Sequence, residues 1–263
     1  MIIWLRYLDR VMRGEATRPN ALRNGDIEQP VGGLTALGAI LGAIYGLCMG
    51  CFTLFQGKHG SLWQALATVL KVPALFFLTL AVTFPSLYVF NALIGSRLTM
   101  QSVLRLLVIS LTVMLTILAS LGPIVAFFSA STPSYPFMLL LNVVIFAVSG
   151  CLGLRTMLTT LQRLTLAATT ATPAMPIEAA SAAEEMPVPP MGVLEPLAGQ
   201  RISRDVRTVF RVWMVVFGLV GAQMAWVLRP FLGSPERAFS WFRPRESSFF
   251  EAVLHAIHHL LFR

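Results

Sequence analysis

The chain has 263 residues, of which 56% are hydrophobic and only 12% charged, with a net charge of +8 and a mean hydropathy of +0.73. A soluble domain carries about 25% charged residues. The composition therefore excludes an ordinary soluble fold and indicates an all-α, polytopic integral membrane helix bundle. All twelve carboxylates lie before position 29 or after position 177. That gap removes the usual proton-relay and cation-site residues from most of the bundle.

Residues 1–30 read as an amphipathic helix followed by a connector. In MIIWLRYLDRVMR, Ile2, Leu5, Leu8, Val11 and Met12 share one face, and Arg6, Asp9, Arg10 and Arg13 fall largely on the other. Trp4 and Tyr7 suit headgroup depth. Residues 14–30 are polar and carry Pro19, Gly25 and Pro30.

Residues 31–163 read as a four-span bundle. The first span, Val31 to Phe55, holds no charge and is long enough to cross a bilayer. Gly38, Gly42, Gly46 and Gly50 recur every fourth residue and line one helix face as a glycine zipper. Such a groove lets another backbone approach closely, within the chain or from a second copy. Ser61 to Val72 reads as a short interfacial lead-in, and Pro73 as the start of the second span, which runs to about Ile94. Pro85 inside that span and Gly122-Pro123 inside the third (Val103 to Phe128) predict kinks. The fourth span runs from about Phe137 to Leu158. Asn91, Asn142 and, further on, Gln223 are the strongest polar side chains within spans. They read as interhelical hydrogen-bond partners.

Residues 164–207 are rich in Ala, Thr, Pro and Glu, and read as a flexible cytoplasmic linker. Residues 208–229 read as a fifth transmembrane helix, with Gly218 and Ala222 as a small-residue packing pair. Residues 230–263 hold a C-terminal motif and a second amphipathic helix, opened by the capping box Ser248-x-x-Glu251. The architecture expected is thus about five spans with an interfacial helix at each end.

Positive charge orients the chain. Lys58 and Lys71 fall in outer segments and the basic tail after the last span counts the other way, but Arg6, Arg10, Arg13, Arg18, Arg23, Arg97, Arg105, Arg155 and Arg163 favour a cytoplasmic N-terminus, with Arg201, Arg204, Arg207 and Arg211 on the same side. Those last four, with Arg229, Arg243 and Arg245 beyond the final span, read as contacts to anionic headgroups or to a partner.

No enzyme signature is present, so no catalytic residue, cofactor or metal is expected. Cys48-Met-Gly-Cys51 has redox spacing but lies in an apolar helix, where packing residues are the simpler reading. His255, His258 and His259 lie within one turn, yet no Cys or carboxylate close in sequence completes a metal site. Nucleic acid is not an expected partner, because no aromatic-and-basic soluble surface forms.

The five-span layout with a cytosolic N-terminal segment resembles the Yip1 family of small membrane proteins. That family's DLYGP-type segment and GY pair are absent. The run Gly221-Ala222-Gln223, Trp226, Arg229-Pro230-Phe231 and Gly233-x-Pro235 is similar to a C-terminal motif of bacterial polytopic membrane proteins. The match continues through Phe242-Arg243 and Glu246-Ser247-x-Phe249-Phe250. This resemblance implies a plasma (inner) membrane location and carries no catalytic residues.

The expected function is a non-enzymatic structural or partner-binding subunit, self-associating or part of a membrane complex, in contact with membrane lipids. The alternative is a transporter or channel for an uncharged or anionic small solute.

Overall fold

The computed structural model describes residues 31–56, 62–93, 100–170, 204–233, 239–242 and 248–261, together with Arg6 and Asp9, which are helical and exposed. The other residues of the expected N-terminal amphipathic helix, the expected connector, most of the expected linker, and Arg201, Arg243 and Arg245 lie outside the described residues. Asn91, Arg204 and Arg207 are placed on helices, but their side chains are not among those described.

Among the described residues, six helices build the bundle: α1 (Val31–Gln56), α2 (Leu62–Leu93), α3 (Met100–Ser131), α4 (Tyr135–Thr170), α5 (Arg204–Val227) and α6 (Phe249–Leu261). No strand occurs among the described residues. Among the described residues four helices, α1 to α4, are long and apolar enough to cross a membrane. The apolar part of α5, Arg211–Val227, is shorter.

The helix α1 sits at the centre, packed along both α2 and α3. Its glycines make this approach sterically feasible. A methyl placed on Gly46 would lie 2.7 Å from the Thr68 carbonyl oxygen and 2.9 Å from Val69 Cα. One on Gly42 would lie 3.2 Å from Pro73 Cα, and one on Gly50 3.1 Å from Ala65 Cα. Gly38 instead faces Leu115 and Thr112 of α3 as well as Phe77 of α2. The four glycines are therefore filled by helices of the same chain. Across α1 and α3, the Thr112 hydroxyl donates to the Leu34 carbonyl at 3.2 Å.

Lead-in and second span are one helix. The expected boundary at Pro73 is corrected: α2 runs unbroken from Leu62, and both Pro73 and Pro85 lie inside it. Pro73 fits because its ring lies where Gly42 offers no side chain. Lys71, which the charge count assigns to an outer segment, is 4% exposed, because the C-terminal loop lies against it. Pro123 likewise lies inside α3. The linker boundary also moves. Helix α4 continues to Thr170 and α5 already begins at Arg204. Residues 164–170 contain neither Gly nor Pro, so nothing stops the helix before Pro173.

On either side of this core stand α4, packed on α3, and α5, packed on α2. Trp213 of α5 is 1% exposed and donates its indole N–H to the Thr83 carbonyl at 3.2 Å. A buried indole needs such a partner. The backbones of α1 and α4 stay apart. Tyr45 bridges them: its hydroxyl donates to Asn142 Oδ1 at 2.7 Å, and its ring packs on Phe146 with centroids 5.5 Å apart.

The close contact of α1 with α2 is testable. Gly46→Leu should lower stability by about 1–3 kcal/mol, as overpacking does, because the obstructing atoms are backbone. Gly32→Leu, with nothing within 4 Å, should be close to neutral. Thermal unfolding in detergent reads both. Equal melting of Gly46→Leu and wild type would rule out the close approach.

Candidate functional site

After Val227 the chain leaves the helix but not the protein. Residues Pro230, Phe231, Leu232 and Gly233 are all buried. Buried non-helical backbone is tolerated where protein satisfies its polar groups. Here α2 does so. Gln64 Nε2 donates to the Pro230 carbonyl at 3.1 Å and to that of Phe231 at 3.4 Å. The Thr68 hydroxyl donates to the Phe231 carbonyl at 2.7 Å. Lys71 Nζ donates to the Pro230 carbonyl at 3.3 Å and to the Trp241 carbonyl. From α1, the Thr53 hydroxyl oxygen accepts the Gly233 N–H at 3.2 Å. Gly233 must lack a side chain, because a methyl there would lie 2.6 Å from that same oxygen.

Gln64, Thr68 and Lys71 recur at helical spacing, so one face of α2 presents all three to the loop. An ammonium has three donors and no acceptor, which suits a cage of carbonyls. The Phe242 ring, 5.2 Å from Lys71 Nζ, adds a cation–π contact. Burying this amine is costly in an apolar helix, and these groups offset that cost.

The anchored loop and α5 leave a cleft of about 1310 Å³ facing α4. Its floor comprises Met49, Leu75, Phe76, Thr79 and Met114. Helix α4 supplies Leu139, Val143, Phe146, Ala147, Gly150 and Leu154. Helix α5 supplies Met214, Phe217, Gly218, Gly221, Ala222 and Ala225. The chemistry changes towards the loop and α6, which contribute Arg229, Ser240, Glu251, His255 and His259 to the lining. There the Arg229 guanidinium stacks 3.8 Å from the centre of the Trp226 ring. The loop and α6 lie across this end, with Pro230, Phe231, Ala252 and Ala256 lining the cleft beneath them.

The residues singled out from sequence fall into separate places. Asn142 lies on the cleft wall, 2% exposed, and holds Tyr45 through Oδ1 while its Nδ2 donates to the Met138 carbonyl at 2.7 Å. Gln223 is a correction: it was expected to be buried between helices but is exposed. The buried phase of α5 is Trp213 and Phe217, continued by Gly221 against Thr79, and Gln223 stands off that line. Gly218 has no neighbour within 4 Å of where a side chain would begin, and with Ala222 it lines the cleft. Arg211 is exposed, and Arg229 is half-buried at the cleft mouth. Cys48, Cys51 and Cys151 are free thiols. Among the described residues no three His, Cys, Asp or Glu side chains gather closely enough to hold a metal ion. Ser248 and Glu251 form the reciprocal cap of α6, with the Glu251 N–H donating to Ser248 Oγ at 3.3 Å and the Ser248 N–H to Glu251 Oε2 at 3.5 Å.

Comparison of the chain with family models, with curated proteins and with solved structures yields no match.

The anchoring role of Lys71 has a direct test. Lys71→Met keeps the stem and removes the donors, leaving buried carbonyls short of a partner at a cost of about 1–3 kcal/mol. Stability in detergent should fall by that amount. A cysteine at position 240, in a background without the three native ones, should react faster with maleimide. If neither changes, the amine does not hold the loop.

Proposed function

We propose that the chain is a non-enzymatic, multi-pass membrane protein that acts as a partner-binding subunit, and that it receives a component of the surrounding membrane in the cleft between α4 and α5. The observation that carries this reading is the cleft itself. Two helices flank a packed three-helix core and barely touch each other, and the walls between them are largely apolar and small-residued. Small residues allow close approach in a membrane. No bundle needs such a gap for its own stability, since an unfilled apolar space forfeits packing contacts.

In this reading α5 is the fifth span. It runs antiparallel to α2 from the Trp213–Thr83 contact to the Pro230–Gln64 contact, which lie roughly 25 Å apart along the helices. That is close to the hydrocarbon thickness of a bilayer. The N-terminus is cytoplasmic, by the distribution of Arg and Lys, and the loop face of the bundle points outward. The plasma membrane location rests on the resemblance of the C-terminal motif. Self-association belongs to the proposal as well. The glycine face of α1 is buried within the chain, so a second copy would have to meet another surface.

A transporter is the alternative, and the same cleft would then be a solute path. The spans from α1 to α4 hold no carboxylate, which favours the partner-binding reading over coupled transport.

The variant Gly218→Trp separates these readings, because it fills the cleft without meeting an atom of the fold at its root. Melting should stay at the wild-type temperature. A photoreactive residue at position 222 should form a discrete adduct with a membrane component, and Gly218→Trp should abolish it. Outward-facing position 144 should form no discrete adduct. Solute flux in proteoliposomes blocked by Gly218→Trp would favour transport instead.

A further inference from the structure

We propose that the occupant of the cleft is a glycerophospholipid, its phosphate at Arg229 and its acyl chains between α4 and α5; this rests on the reading of the cleft as the receiving surface. Four features of the site argue for it.

The first is the gradient. The body of the cleft is largely apolar, with Thr79 and Asn142 among its polar side chains, while Arg229, Glu251, His255 and His259 belong to the loop and α6. That division matches a molecule with one polar head and a long apolar body. The second is the location of the polar end. Arg229 follows the end of α5 by two residues. It shares that end with α6, which exposes Phe250, Leu254, Ile257 and Leu260. An amphipathic helix with apolar side chains turned outward belongs at the headgroup boundary, so the mouth of the cleft lies at headgroup depth.

The third is closure. A partner's membrane-spanning helix would have to leave the cleft through the loop face. There α6 packs on both α4 and α5, and Pro230 and Phe231 of the loop line the cleft beside it. A lipid ends at the interface and has no need to pass. The volume agrees, since about 1310 Å³ exceeds the 300–1,000 Å³ typical of small-molecule pockets.

The fourth is charge. The Arg229 guanidinium carbon lies over the Trp226 ring, 3.8 Å from its centre. A guanidinium carries five N–H donors in a planar fork that fits phosphate oxygens. His255 and His259, one turn apart on the cleft side of α6, add imidazole groups at the same end. Glu251 is the one carboxylate among the lining residues, and its contacts with Ser248 turn it towards the start of its own helix.

The test uses the full chain extracted in mild detergent from phosphatidylglycerol–phosphatidylethanolamine membranes. Native mass spectrometry then counts the phospholipid retained. Wild type should keep one phospholipid at a detergent level that strips annular lipid. Arg229→Leu should lower that occupancy at least threefold, Arg229→Lys should lower it less, and Gly218→Trp should abolish it. Melting temperature reports whether each variant is folded, and Gly218→Trp serves where Arg229→Leu is not. A phosphatidylcholine carrying a diazirine on its acyl chain should label residues 143–154 and 214–222 in wild type and not in Gly218→Trp. Absence of retained phospholipid in wild type, or equal retention in all folded variants, overturns the lipid assignment. A polypeptide adduct from position 222 overturns it too, while leaving the cleft reading standing. Equal labelling of cleft and outward positions overturns both.

Discussion

The arrangement depends on where the carbonyl groups of Pro230 and Phe231 find their donors. A chain that stops being helical inside an apolar environment must have its backbone satisfied by protein. Gln64, Thr68 and Lys71 of α2 meet that demand from one helix face. The consequence reaches well beyond the loop. Fixing Pro230 to α2 at one end, with Trp213 fixed to Thr83 at the other, lays α5 along α2. It cannot then also lie against α4, and the cleft follows.

Two kinds of spacing complete the bundle. Where α1 meets α2 the helices touch backbone to backbone, because glycine removes every side chain that would intervene. Where α1 faces α4 the separation is filled by large side chains, Tyr45 on Phe146 and Phe52 on Tyr135. The Tyr45–Asn142 hydrogen bond fixes that wider spacing at a position where unpaired polar groups would be costly. A narrow contact on one side of α1 and a wide one on the other leave room for the floor of the cleft.

Much of this was legible from hydropathy alone. Four apolar runs became α1 to α4, and the four-residue glycine period identified a face of close contact. Gln223 shows where a single-helix reading stops. Its polarity within an apolar run suggested burial, but burial depends on which phase of α5 meets α2, and Trp213 and Phe217 set that phase. Lys71 shows the same limit in reverse. Charge suggested an interface, because sequence does not reveal carbonyls brought from 159 and 170 residues away. Gln64, Thr68 and Thr53 were passed over for the same reason: each meets a backbone group of the distant C-terminal loop. Their phase on α2 was visible, since Gln64, Thr68 and Lys71 repeat at helical spacing, and a polar stripe beside Pro73 could have marked it as buried. The RPFLGSP run, by contrast, stood out as a motif, and the structure supplies a physical reason for part of it. Pro230 and Phe231 present carbonyls to α2, and Gly233 fits against Thr53 only without a side chain.

The central claim is that anchoring of the loop by α2 holds α5 away from α4. Paired spin labels at native Cys151 on α4 and at position 215 on α5, with Cys48 and Cys51 replaced by Ala, measure that separation directly. The account predicts one narrow distance distribution in the otherwise unaltered chain. It predicts a broadened or shifted distribution when Gln64→Leu and Thr68→Val together remove the donors to Pro230 and Phe231. A distribution that stays narrow and unmoved in the double variant, with the protein folded, would contradict it.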